Sequence, residues 1–302
     1  VEQPTLIVVG GPTASGKTAA AVAIAKQLGT EVISADSRQF YSAMRIGTAR
    51  PSAVEMGGIR HHFVGHLDIT ETWSAGQFAR EAEPVLQTLI QTKGSAVLVG
   101  GSGLYIDALC KGLDPLPIRN EAIRAGIQVR LDTAGLADLL EELDRLDPAT
   151  GDRIDRANPH RVIRALEICL ATGRPYSEQR TTPTDRTDMR IVRLAMDLPR
   201  AELYARINSR VDTMIAEGLV MEARSLFPHR LLNALQTVGY KELFEHFDGD
   251  LTLPKAIALI KQHTRNYAKR QLTWLRRDPE WLFVHPTDNA RMMELSTGSD
   301  QP

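Results

Sequence analysis

No stretch of this sequence approaches the roughly twenty consecutive apolar residues of a membrane-spanning helix, so no such span is expected. Cysteine is almost absent. Cys110 and Cys169 each lie in an apolar or helical stretch without partner spacing, which excludes a disulfide framework and implies two buried, reduced thiols. Neither sign of charge is in excess: 36 Lys and Arg stand against 37 Asp and Glu, a net charge of −1. No general field therefore draws nucleic acid, and any RNA role must rest on a local patch. Internal repeats are lacking. Val1 to Thr5 does not show the charged-then-apolar order of a secretory leader, and a cytoplasmic protein is expected. The small polar tail Ser296 to Pro302 is expected to fray.

What is present is an ordinary globular composition, 43% hydrophobic and 24% charged, in 302 residues, enough for one large domain or two smaller ones. Near the start, the apolar run Leu6-Ile7-Val8-Val9 leads into "GGPTASGKT", Gly10 to Thr18. The pattern Gly11-x4-Gly16-Lys17-Thr18 is the P-loop signature. Glycines let the backbone curl until several N–H groups point at anionic oxygens, and the following helix adds its positive end. Lys17 supplies a full charge, and Thr18 offers a hydroxyl to Mg²⁺. A glycine turn that merely joins strand to helix is the plain alternative. The β-branched strand before and the Ala-rich helix after favour a phosphate site, without saying whose phosphates it holds.

Strands and helices alternate at first: strand Leu6 to Val9, helix Thr18 to Leu28, strand Glu31 to Ser34, helix Ser74 to Gln91, strand Ala96 to Val99. Ser74 and Gln77 have capping-box spacing. The pattern predicts an α/β, P-loop three-layer core with a mainly parallel sheet. After "GLDPLPIRN" the chain becomes charged and strand-poor from about Arg119 to Glu178, which reads as a helical insertion domain. Its expected limits are 116–189, with the core formed by 1–115 and 190–302. Strand Ile191 to Met196 returns the chain to the sheet, and the remainder is expected to be mostly helix: 200–217, 218–226 and 253–277.

The strand Ala96-Val97-Leu98-Val99 ends in Gly-Gly-Ser where a motor or switch NTPase carries a Mg²⁺-holding Asp, and no guanine-reading Asn-Lys-x-Asp occurs. A group-transfer enzyme that grips a substrate's phosphates remains. In "VISADSRQFY", Val32 to Tyr41, Asp36 and Ser37 follow a strand at the sheet edge where open α/β folds bind ligands. A carboxylate there repels phosphate. It can take a proton from a nucleophile, hold Mg²⁺ through water, or simply cap a helix. Arg38, Gln39 and Tyr41 add donors and a ring suited to a planar base, since Gln bonds adenine bidentately. "IGTARP", Ile46 to Pro51, brings a glycine turn, a hydroxyl and a cation; "GGSGLY" brings Ser102 and more backbone N–H groups. Loops from three strand ends thus converge on one site.

The acid-free run "KQHTRNYAKRQLTWLRR", Lys261 to Arg277, is the local basic patch, with Tyr267 and Trp274 among its cations. It suits phosphate contacts and base stacking, against the alternative of a solvated helix face with Trp274 in the core. In "HHFVGHLD", His62 and His66 would share one face of a strand with His61 opposite. No cysteine or helical pair completes a zinc set, so a hydrogen-bonded strand is expected.

Taken in order, "GPTASGKT", "ISADSRQFY", "IGTARP", "HHFVGHLD", "ETWSAGQF", "LVGGSGLY", "NPHRVIRALEI", "QTVGYKEL" and "YAKRQLTWLRR" make the chain resemble the bacterial tRNA dimethylallyltransferases, or tRNA isopentenyltransferases, over nearly its whole length. The resemblance implies transfer of a dimethylallyl group from dimethylallyl diphosphate to N6 of adenosine 37, beside the anticodon of tRNA. It also implies Mg²⁺ as cofactor and the anticodon stem-loop as partner; a monomer is expected. Carried over, Gly11, Thr13, Ala14, Ser15, Gly16, Lys17 and Thr18 bind the diphosphate, and Thr18 the metal. Asp36 becomes the general base, with Ser102 and Arg124 near the reacting groups. Asp36, Ser37, Arg38 and Gln39 lie against tRNA, as do His160, Arg161, Val162, Ile163 and Arg164. So do Gln236, Thr237, Val238, Gly239, Tyr240 and Lys241, and finally Lys269, Arg270, Gln271 and Arg276. Ser102 stands where many members have Thr, Gly103 where a larger residue is common, and His160 where Gln is frequent. The zinc-finger extension of eukaryotic members is missing. A P-loop small-molecule kinase would also use the loop and Asp36 but leaves the basic run unexplained; an RNA-binding or nucleotide-sensing module would leave Asp36 idle.

Overall fold

A computed structural model describes residues 3–114, 116–117, 119–181 and 184–297. Six strands form one sheet: β1 (Thr5–Gly10), β2 (Val32–Ser34), β3 (His61–His62), β4 (Ser95–Gly100), β5 (Arg190–Met196) and β6 (Trp281–Val284). Their order is β3-β2-β4-β1-β5-β6, and every pairing is parallel. The strands are near-continuous apolar runs because both faces are covered. In β1, Leu6 and Val8 face a core with Phe40, Phe78, Leu86 and Ile106. Ile7 and Val9 face the opposite core with Ala21, Ile24, Ala25 and Met292. This alternation makes the three layers.

Two strands differ from expectation. β6 follows the basic helix where the sequence pattern predicts only helix; four apolar residues without alternation give no period from which to read a strand. β3 holds only His61 and His62, because Phe63 turns the chain into the left-handed region at φ 61°. His66 is therefore off the strand, packed edge-on against Phe40, Phe63 and Trp73. His62 pairs with Glu31 at 2.6 Å, and His61 bonds the Ile59 carbonyl at 2.9 Å. No group of three or more His, Cys, Asp or Glu is placed to hold a metal among the described residues.

The chain divides into two compact units, 1–110 with 186–302, and 111–185. The first resumes at Arg186, before β5, since Arg186 is clamped by Glu83 at 2.7 Å and Asp188 at 2.7 Å. The second unit is helical, with helices Glu121–Ala134, Leu136–Leu146 and Pro159–Thr172 as its main elements. They close on a core of Ile127, Leu139, Leu143, Val162 and Leu166. No described helix is long and apolar enough to cross a membrane.

Candidate active site

At the end of β1 the chain enters the P-loop, and the helix Lys17–Leu28 begins directly after Gly16. Gly16 at φ 90° and Ala14 at φ 65° both occupy left-handed backbone. For Ala14 this is strained. Its methyl is held in a small apolar cluster with Leu198, Leu203, Ile207 and Ala268. Ser15 is fully buried, and its hydroxyl has no hydrogen-bond partner. An orphaned buried hydroxyl costs stability unless a ligand satisfies it, and phosphate oxygens would do so.

One P-loop donor is already taken. Thr13 N–H donates to Gln271 Oε1 at 2.9 Å, while Gln271 Nε2 donates to the Gly101 carbonyl at 2.9 Å. Gln271 was expected among the tRNA contacts. It is buried, and both ends of its amide are occupied, so it ties the P-loop to the β4 loop instead. Gln271→Met should orphan the Thr13 N–H and the Gly101 carbonyl and cost about 1–3 kcal/mol. A urea titration that finds no loss would show that water replaces the amide.

The β2 and β4 ends approach so closely that a Cβ on Gly100 would sit 2.4 Å from the Ala35 carbonyl oxygen. This brings Asp36 and Ser37 beside Ser102. Ser37 N–H donates to Ser102 Oγ at 3.1 Å, and the two hydroxyls lie 3.1 Å apart. Tyr267, from the helix Leu253–Leu275, completes the group: its hydroxyl bonds Ser102, and burial pushes its phenol up to about 12. Gly103 leaves the space that the Trp274 indole fills; a Cβ there would lie 2.3 Å from the ring. Asp36 caps no helix. A turn follows it, with Arg38 N–H donating to Asp36 Oδ1 at 3.2 Å.

The electrostatics join this carboxylate to the P-loop. Burial brings the Lys17 ammonium down to about 8; Asp36 opposes that shift and Arg210 adds to it. Burial also lowers Arg210, against Glu55 and Asp36. Arg210 thus belongs to the same field as Lys17 and Asp36. The sequence pattern does not reveal it, because it lies in the helix Arg200–Ala216, some 190 residues downstream of the P-loop, as counted from the numbering. Its only signal is spacing: Arg206, one turn earlier, approaches Gly16, where an added Cβ would be 3.9 Å from Arg206 Nη1.

Several expected base-reading groups are spent on structure. The Gln39 amide donates to the Thr48 and Ala49 carbonyls at 3.1 and 3.0 Å, so its NH₂ is not free to read adenine. Arg38 Nη1 donates to the Asn233 and Ala234 carbonyls at 2.9 and 3.0 Å. Tyr41 is buried, with its hydroxyl on the Glu71 carbonyl at 3.4 Å. In "IGTARP" the Thr48 hydroxyl bonds Met44 and Arg50 bonds Ser42, which leaves neither for a ligand.

That loop has its own anchor, another residue the sequence does not disclose. Glu222 accepts from the backbone N–H of Arg45, Ile46 and Gly47 at 2.8–3.1 Å, and from the Tyr240 hydroxyl at 2.7 Å. Tyr240, expected to meet tRNA, is instead fully buried against Gly47. Nearby, Gln236 donates to the Arg230 carbonyl, Gly239 N–H to Glu242, and Val238 packs on the core, while Lys241 stays exposed. Glu222→Gln exchanges an acceptor for a donor facing N–H groups. It should cost about 2–3 kcal/mol of stability, read as a lowered denaturation midpoint; an unchanged midpoint would show that the loop holds itself.

The basic run also divides. Lys261 pairs with Asp212 at 2.6 Å and Arg265 with Asn208 at 2.6 Å. Lys269, Arg270 and Arg276 stay exposed, Arg276 only loosely paired with Asp197 at 3.9 Å. In the second unit His160 and Arg161 are exposed, but Val162 and Ile163 are core residues whose side chains offer RNA no surface. Arg124 and Arg164 converge on Glu167, itself buried, at 3.1 and 3.2 Å.

The IPP transferase family model matches residues 39–278. A tRNA dimethylallyltransferase of Christiangramia forsetii is 45% identical over 286 residues, 95% of this chain and 95% of the relative. A second, tRNA dimethylallyltransferase 2 of Parabacteroides distasonis, is 44% identical over 284 residues, 94% and 95% of the two chains. Among solved structures, the tRNA isopentenylpyrophosphate transferase of Bacillus halodurans is similar with a TM-score of 0.72 and 36% identity, covering 98% of this chain and 96% of that one. A phosphate-binding α/β core, an acid and two cations at its strand ends and this likeness over almost the full length agree: the chain belongs to the IPP transferase family.

Proposed function

We propose that this enzyme transfers a dimethylallyl group from dimethylallyl diphosphate to N6 of the adenosine at position 37 of tRNA and releases diphosphate. The observation that carries this reading is the shared field of Lys17, Arg210 and Asp36 at the strand ends. The cations lie where negative charge would grow on a leaving diphosphate, and the carboxylate lies where a nucleophile would lose its proton. The bond between the allylic carbon and the diphosphate oxygen breaks, and its electron pair leaves with the diphosphate. A bond forms from N6 to that carbon, and the N6 proton passes to Asp36.

Ser15, with its unpartnered hydroxyl, and the free N–H groups of the loop hold the leaving group. Ser102, Ser37 and Tyr267 form the hydroxyl cluster that orients the acceptor beside Asp36. The Thr18 hydroxyl and diphosphate oxygens are hard donors that fit Mg²⁺, which when bound would add positive charge at the leaving group.

Incubation with labelled dimethylallyl diphosphate and tRNA, in parallel with labelled ATP, tests the reading. Label is expected in tRNA from the first alone; transfer of phosphate from ATP would replace the proposal with a kinase. RNA contact by the exposed cations is tested separately. Lys269→Ala, Arg270→Ala and Arg276→Ala together should reduce the salt slope of tRNA binding by about three, roughly one per lost phosphate contact. Affinity for the allylic diphosphate should not change. An unchanged slope would return these residues to the solvated surface.

A further inference from the structure

A cavity of about 690 Å³ opens beside the catalytic loops without containing Asp36, Ser102 or Lys17. Its floor is apolar, formed by Leu198, Leu203 and Leu272. Leu198 and Leu203 also pack against Ala14 of the P-loop. Two rings stand in its wall, Tyr204 and Phe283, and an arginine lies over each: Arg200 at 5.1 Å from the Tyr204 centroid, Arg276 at 6.0 Å from that of Phe283. Lys269 adds a third cation, against the single acid Asp197. Phe283 is 40% exposed on β6, an edge strand, so a large apolar ring faces open space.

A greasy floor alone would suit a lipid or a prenyl tail. Rings backed by guanidinium planes, with three cations at the rim, suit something flat and anionic. That is the chemistry of a nucleotide: its base stacks on ring or guanidinium, and its phosphate meets the cations. The helix Leu253–Leu275 and its end form the partition. Tyr267 and Gln271 point to the catalytic loops, while Lys269, Leu272, Thr273 and Arg276 line the cavity. A strand that places one nucleotide beside Asp36 and crosses this helix would put another over the cavity.

We propose that this cavity is a second nucleotide-binding site, in which Phe283 and Tyr204 stack a base and Arg200, Lys269 and Arg276 hold its phosphate. The occupant is a nucleotide of the RNA strand other than the reacting one, or a free mononucleotide of the same chemistry. The strand arm rests on the tRNA reading above; the free-nucleotide arm does not.

The full chain is mixed with anticodon stem-loop RNAs carrying 2-aminopurine at one loop position at a time, and separately with AMP in equilibrium dialysis. For a strand nucleotide, one position outside the reacting adenosine loses fluorescence on binding. Phe283→Ala should restore that fluorescence and raise the RNA Kd about tenfold, the scale of one lost stacking contact. Turnover at saturating RNA and KM for the allylic diphosphate should stay unchanged. Arg200→Gln, at an exposed helix start, gives a second variant with the same direction of effect. For a free nucleotide, AMP binds the wild type, both variants weaken it, and no loop position responds. The proposal is overturned if neither probe responds to either variant. Prenyl transfer by the same wild-type preparation separates the two readings: transfer without a cavity response removes this proposal alone, and AMP binding without transfer removes only the functional reading.

Discussion

Asp36→Asn is expected to lower turnover by about 10²-fold or more while leaving tRNA affinity nearly unchanged, the scale of a lost general base. Asn keeps the shape, and its carbonyl can still accept from the Arg38 N–H that fixes the turn at 3.2 Å. What disappears is the ability to take the N6 proton. The acceptor amine must shed that proton once it is alkylated, and Asp36 is the carboxylate that acts on both Lys17 and Arg210, whereas Glu55 acts on Arg210. Ser37, Ser102 and Tyr267 can orient the amine but are poor bases, Tyr267 with its phenol pushed up to about 12. Single-turnover transfer with saturating tRNA measures the step, and a filter-binding titration checks affinity. Turnover within a few-fold of wild type would reduce Asp36 to a turn residue.

Lys17→Ala should cost about 10²–10³-fold in turnover, the scale of one lost electrostatic donor at a developing anion. Allylic diphosphate binding should weaken, and tRNA affinity should not. The residue also carries a pH signature. Because burial holds its ammonium at about 8, below the ordinary 10.5, the unliganded enzyme is protonated there only below about pH 8. Above it, an incoming diphosphate must draw a proton onto Lys17 as it binds. Affinity for the diphosphate should therefore be flat below about pH 8 and fall as pH rises beyond it, with proton uptake visible by calorimetry in two buffers. Lys17→Ala should abolish the fall. A mutant that keeps the same pH profile would assign the titration elsewhere, and equal loss of tRNA affinity would mean that the loop grips the RNA backbone.

Lys17 and Asp36 are both legible in the sequence, for a physical reason. The P-loop is a local device: glycines, a lysine and a hydroxyl act within nine residues, and the strand before and helix after are set by adjacent apolar and Ala-rich runs. Asp36 is visible because it follows a strand, and strand ends are where parallel sheets bind ligands. The sheet's parallel character follows from strands buried on both faces. Their continuous hydrophobic runs carry no alternation.

What tertiary structure alone decided was the use of each polar side chain. Gln39 has the chemistry of a base reader and Gln271 that of an RNA contact. Which of their amide atoms are free depends on carbonyls at Thr48, Ala49 and Gly101 that the sequence places near neither. Arg210 and Glu222 carry no motif, because their partners Lys17, Asp36 and the Arg45–Gly47 backbone are distant along the chain and close only in space. Val162 and Ile163 stand among RNA-facing neighbours in sequence, yet a helix turns successive residues by about 100°, which sends them into the core while His160 and Arg161 face outward. β6 is hidden in the sequence because four apolar residues specify no period, and pairing with β5 makes them a strand. The sequence by itself determined the local chemistry of the phosphate loop, the β–α alternation and the family. Folding determined which donors remain unspent, because a hydrogen bond made within the chain is one that no ligand receives.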